Sequence, residues 1–137
     1  MLTATTLPGD MSENELAAIV IEICFKIHRK WGPGLLESVY EELLAHHLRS
    51  MGFHIETQKG IPFFEDGVKL DIGFRADLIV QNRLLVELKS VEQITPSFPK
   101  TVLTYLRILD LRLGLIVNFG ETYLKNGLKR VINGQLE

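Results

Sequence analysis

Asp77, Glu87 and Lys89 are the residues whose types and spacing could do chemistry. They interrupt RADLIV and LLVELKS, two short runs of leucine, isoleucine and valine of the kind that forms buried strands. Reading 75–80 and 84–90 as a hairpin, with Gln81, Asn82 and Arg83 in its loop, sets Asp77 opposite Glu87. Side chains alternate along a strand, so Glu87 and Lys89 share a face, and cross-strand pairing puts Asp77 on it with Cβ atoms roughly 5 Å apart. A one-residue slip of the turn would move Asp77 to the other face.

Two neighbouring carboxylates repel each other, and a pair shielded from water is costly unless a cation lies between them. Magnesium suits such a place, because it takes one or two carboxylates and fills its other positions with water and phosphate oxygens. A water acidified by the ion could attack a phosphodiester, with Lys89 orienting that water or stabilising the charge that develops. The competing reading is a salt bridge from Lys89 to Glu87 or Asp77 on a solvent-facing sheet, where such a pair contributes little. Spacing alone leaves both readings open.

A second acidic residue with company is Glu37 in GLLESVYEELL, where Gly34, Glu37 and Tyr40 fall at i, i+3 and i+6. Glu37 and Tyr40 share a helix face. Glu37 also lies in the first turn, where a carboxylate interacts well with the helix dipole, so a stability role competes with a chemical one. The histidines are weaker candidates. His46 and His47 are adjacent and point about 100° apart on a helix, unlike the i, i+4 pair a metal prefers, and His28 and His54 read as no stronger. Cys24 lies between Ile23 and Phe25, which suits a packed thiol. The chain has no glycine-rich phosphate loop, serine elbow or CxxC pair.

These side chains must be held by elements that the pattern predicts. Residues 1–11 read as a flexible tail, and 12–137 as a single domain. Ser12 and Glu15 form a capping box, and Leu16, Ile19, Val20, Ile23 and Ile27 give the following helix one apolar face as far as WGPG. A second helix is predicted over 35–51 and stops at Gly52. From Phe53 the period changes to alternation broken at Gly60, Pro62 and Asp66-Gly67, which predicts strands joined by turns. Pro96 and Pro99 mark the start of a third helix, LGLIVNFG reads as a buried strand, and 122–131 as a short last helix. The order predicts a mixed α/β domain with helices covering a central sheet. Its last strand returns through a helical crossover to lie parallel to a neighbour.

The chain has 137 residues, 46% hydrophobic and 23% charged, which is enough for one buried core and needs no disulfide framework. A formal net charge of −2 supplies no global field to attract nucleic acid, so any such binding must be local. The basic clusters Arg29 with Lys30, Arg107 with Arg112, and Lys125 with Lys129 and Arg130 read first as solvated faces. The apolar runs fall short of the roughly 20 residues that cross a bilayer, and the start MLTATTLPGDMSENE lacks the pattern of a signal peptide. The expectation is a cytoplasmic protein with no membrane partner; a homo-oligomer is left open.

Together, GLLESVY, RADLIV, LLVELKS and LRLGLIVNFG resemble the family named for its GxxExxY motif, which is placed in the PD-(D/E)XK nuclease superfamily. The resemblance runs over 15–133, with the motifs in order. It implies a restriction-endonuclease-like αβββαβ core with an extra N-terminal helix and a Mg²⁺ site, Mn²⁺ being the alternative ion, that cuts phosphodiester bonds of DNA or RNA. By this resemblance Asp77 and Glu87 are the metal ligands, Lys89 the catalytic lysine and Glu37 the acidic residue from the helix before the sheet. Related nucleases carry a glutamine four residues before a tyrosine on the helix after the lysine strand. Here Tyr105 is present and Thr101 holds the other position, so this pair is the expected substrate-positioning set, with a hydroxyl of shorter reach. The alternative function is a catalytically inactive module of the same fold that binds nucleic acid or a protein partner. A third reading is a structural domain with its charges in an internal ion-pair network.

Overall fold

The structure, a computed structural model, describes residues 7–70 and 74–136. Helix α1 (Glu13–Trp31) begins as its sequence requires. Ser12 Oγ accepts from the Glu15 N–H at 3.2 Å, and Glu15 Oε1 accepts from the Ser12 N–H at 3.1 Å. Leu16, Ile19, Val20, Ile23 and Ile27 are buried along its inner face, and Gly32 ends it at φ 73°. Cys24 is fully buried on the same helix, and burial pushes its thiol pKa up. Met11, before the helix, is also buried, and its carbonyl accepts from the Arg83 guanidinium at 2.5 Å.

Helix α2 (Glu37–Ser50) has no side-chain cap at Leu36. Tyr40 anchors the preceding loop instead. Its buried hydroxyl accepts from the Leu35 N–H at 3.1 Å and donates to the Gly32 carbonyl, while its ring stacks on Phe119 at 4.1 Å. The conformation of the WGPG turn is therefore fixed by a tyrosine one helical turn into α2, which places Glu37 at the helix start.

The strands follow as β1 (Ile55–Gly60), β2 (Phe63–Glu65), β3 (Val68–Leu70), β4 (Arg75–Val80) and β5 (Leu84–Lys89), then α3 (Phe98–Leu109), β6 (Leu113–Asn118) and β7 (Leu128–Ile132). Five strands form one sheet in the order β1-β4-β5-β6-β7. All pairs are antiparallel except β5 with β6, which the α3 crossover makes parallel. Strands β2 and β3 form a separate hairpin around Asp66 and Gly67, both at positive φ, as a tight primed turn demands.

Helices α1 and α2 cover one face of the sheet and α3 the other, giving a three-layer α/β domain. Alternation along β5 divides its residues between the layers. Leu84, Val86 and Leu88 pack with α1 and α2, while Leu85 packs with α3, so a run with no polar alternation is what a doubly covered strand needs. Glu87 points to the α3 side by the same rule.

The chain end differs from its predicted helix. Residues Leu124–Gly127 make one 3-10 turn, and β7 follows as an edge strand paired to β6, with Val117 opposite Leu128 and Gly114 opposite Val131. The free edge of β6 outweighs the weak preference of a short helix, because it offers backbone partners and a buried slot for Val131. Gly127 permits the close return: a Cβ there would lie 2.4 Å from the Asn118 carbonyl oxygen.

Candidate active site

The β4–β5 hairpin turns at Gln81 and Asn82, both at positive φ, and the Arg83 N–H closes it on the Val80 carbonyl at 3.0 Å. Its ladder is regular at Val80↔Leu84, Ile79↔Leu85 and Leu78↔Val86. The next rung is made by side chains. The Asp77 N–H donates to Glu87 Oε2 at 2.8 Å, and the Leu88 N–H donates to Asp77 Oδ2 at 2.9 Å. Each carboxylate thus takes the place of a backbone carbonyl, which holds the two side by side at the point where the strands part.

Glu87 is 4% exposed, and it and Asn118 are the buried polar residues among those described. Burial pushes the Glu87 carboxyl up to about 8. The adjacent Asp77 charge adds to the rise, against the opposing pull of the Asp77 N–H and of Lys89. The Tyr105 hydroxyl is raised by burial and then by both carboxylates.

Both acids line a cleft of about 530 Å³ at the end of the sheet, between the starts of α2 and α3. Glu37, Lys89 and Tyr105 line it as well. Five of the six residues singled out in the sequence therefore share one cavity. Thr101 does not line it; its hydroxyl turns back to the Ser97 carbonyl of its own helix at 3.5 Å.

Lys89 makes no ion pair with either acid. Its ammonium lies 4.3 Å from the centroid of the Phe98 ring, and the ion pairs among the described residues join Lys59 and His54 to Glu56. An internal ion-pair network is thus absent from the described residues.

Cleft residues missed in the sequence include Glu41, Gln58, Arg75 and Phe98. Glu41 lies one turn beyond Glu37, the i+4 position that shares its face, and that spacing was a usable signal. Burial raises its carboxyl, a hydrogen bond from Gln58 opposes this, and the Asp77 charge adds to the rise. Gln58 Nε2 donates to Glu41 Oε1 at 2.6 Å and to Asp77 Oδ1 at 3.2 Å. It reaches both through φ 51° in the middle of β1, which no sequence pattern announced. Arg75 lies two residues before Asp77, on the same face by alternation.

The donor set fits a hard divalent cation. Asp77 and Glu87 each keep an oxygen not used by the other strand's backbone, and an ion such as magnesium completes its shell with water. Among the described residues no group of three or more histidine, cysteine or acidic side chains could hold a metal, so a four-ligand zinc site is not built here.

The sequence model of the PD-(D/E)XK nuclease superfamily matches residues 14–131. The chain belongs to this superfamily. The matched span takes in β4 with Asp77 and β5 with Glu87 and Lys89. The five-stranded mixed sheet flanked by helices is consistent with the restriction-endonuclease-like fold of PD-(D/E)XK proteins. No curated protein and no solved structure matches the chain. No described helix is long and apolar enough to cross a membrane.

Proposed function

We propose that this PD-(D/E)XK protein is a divalent-metal-dependent nuclease that hydrolyses phosphodiester bonds of DNA or RNA, and that it falls in the GxxExxY branch of the superfamily. The observation that carries the proposal is the interlocked pair of a partly buried Asp77 and a buried Glu87, with no side-chain ion pair to either. Such a pair is unfavourable unless it is protonated or binds a cation, which is a reason to read it as a binding site. In this reading Asp77 and Glu87 hold the metal, with Mg²⁺ the expected ion and Mn²⁺ the substitute. When bound, the ion supplies charge to the scissile phosphate and acidifies a water.

The protein's own groups supply the rest. The backbone amides of Asp77 and Leu88 fix one oxygen of each carboxylate, so the ligands are oriented before anything binds. Lys89 is held on Phe98, free of the acids, and can swing its three N–H donors to a phosphate oxygen as charge develops there. Glu37 stands at the opposite wall, on the end of a different element, and can accept a proton from an attacking water. Tyr105 and Phe98 give the wall an aromatic side.

Thr101 favours a second reading. Its hydroxyl is spent on its own helix, so that side of α3 offers the cleft no polar positioning group from this residue, as a module that binds nucleic acid or a protein without cutting would allow. Cleavage of end-labelled single-stranded DNA, duplex DNA and RNA decides between the two readings, with Mg²⁺, Mn²⁺ or chelator and with Lys89→Ala beside wild type. Metal-dependent cutting that vanishes in Lys89→Ala supports the nuclease. Folded protein that cuts none of the three, yet binds one of them equally well as Glu87→Ala, supports the module.

A further inference from the structure

Arg75 opens β4 two residues before Asp77 and lines the same cleft, exposed to solvent. Its Nη1–H donates to the carbonyl oxygen of Gln58 at 3.2 Å. Gln58 has φ 51° and drops out of the ladder between the pairs Thr57↔Leu78 and Lys59↔Ala76. A residue with a Cβ adopts this backbone inside a strand only where its surroundings impose it, and such departures gather at functional sites. Here the kink leaves the Gln58 carbonyl to Arg75, while the Gln58 amide goes to Asp77 and Glu41. One strained residue therefore fixes both a carboxylate and a guanidinium of the cleft.

Strand register adds an independent point. One step beyond Leu78↔Val86 the β4–β5 register sets Asp77 against Glu87, with Arg75 two residues before the first on β4 and Lys89 two residues after the second on β5. The two acids stand side by side, and each base shares by alternation the face of the acid on its own strand. All four line the cleft. Glu37 and Glu41 make the cleft more negative still, so a polyanion needs pre-positioned cations to enter it. Arg75 has no carboxylate partner among the described ion pairs. With one N–H committed to Gln58, its guanidinium keeps further donors in a fork that matches phosphate geometry.

We propose that Arg75, anchored on the Gln58 carbonyl, is the phosphate clamp of the cleft, gripping the backbone of a nucleic-acid strand beside the carboxylate pair. The ligand class rests on the nuclease reading, but cleavage is not required for the clamp. Its test is fluorescence anisotropy of a labelled single-stranded DNA oligonucleotide with the full chain, in chelator so that the strand stays whole, between about 50 and 200 mM salt. Arg75→Gln is expected to bind about tenfold more weakly at the low-salt end, and its plot of log affinity against log salt to be shallower by about 0.7, the value for one phosphate contact on a single strand. Arg75→Lys should keep the wild-type slope and still bind more weakly, because it keeps the charge and loses the fork. Magnesium affinity by calorimetry should not fall in Arg75→Gln, which separates a clamp from a ligand.

An unchanged slope in folded Arg75→Gln overturns the clamp, and so does wild-type protein that binds no oligonucleotide. A slope that falls in a protein that cuts nothing keeps the clamp and overturns the nuclease reading. Cleavage with an unchanged slope does the reverse.

Discussion

Replacing Glu87 by glutamine keeps the size of the side chain and an oxygen to accept the Asp77 N–H, and removes the buried charge. In the wild type, burial and the Asp77 charge raise the Glu87 carboxyl from 4.5 to about 8. Below the unfolded value both states hold the proton, and the stabilisation is fully present. As pH rises from there, the unfolded chain releases its proton while the folded chain keeps it, so stability falls until the folded value is passed. At about 1.4 kcal/mol per unit, the displacement sets an upper limit of roughly 5 kcal/mol on this loss. Glu87→Gln has no such proton to release. Urea unfolding followed by circular dichroism should therefore give Glu87→Gln and wild type similar stability near pH 5 and a variant more stable by several kcal/mol near pH 9, in metal-free buffer. Adding Mg²⁺ should reverse the order at high pH, because an ion that binds only the folded wild type adds RT ln(1 + [L]/Kd) to its stability. Parallel pH profiles for the two proteins would refute the reasoning, since they would mean that Glu87 is ionised in the folded chain without a partner.

Phe98→Leu removes the ring under the Lys89 ammonium, a contact of about 1 kcal/mol; it should leave Mg²⁺ affinity by calorimetry unchanged and slow cleavage. Gln58→Gly relieves the φ of 51° and should raise stability by about 1 kcal/mol in urea unfolding, while loosening Asp77 and lowering Mg²⁺ affinity. Asn118→Ala leaves the Val91 N–H and C=O and the Gly120 N–H without their buried partner, for an expected loss of about 3 kcal/mol or more. That loss should be accompanied by weaker cleavage, because the same corner ties the Phe119 N–H to the Lys89 carbonyl at 2.8 Å.

What could be read in the sequence was whatever followed a local rule. The capping box at Ser12, the apolar face of α1 and the hairpin loop at 81–83 each depend on a few neighbouring residues, and with the hairpin came the opposition of Asp77 and Glu87. The rest depended on contacts between distant segments. β7 exists because β6 has a free edge, and the Ser90 hydroxyl donates to Leu35, 55 residues away. Gln58 lay furthest from view. A polar residue in an alternating strand is normally the solvent-facing half of the pattern, and only its left-handed backbone turns it toward Glu41 and Asp77. The cleft is thus assembled where the regular patterns stop: the β4–β5 ladder opens at Asp77, β1 kinks at Gln58, and α2 starts without a side-chain cap at Glu37. A regular strand or helix spends its backbone groups on itself and has none to aim at a ligand. Each interruption frees an amide, a carbonyl or a carboxylate at the same end of the sheet. The places that sequence rules describe worst are therefore those where this fold has groups to offer a substrate.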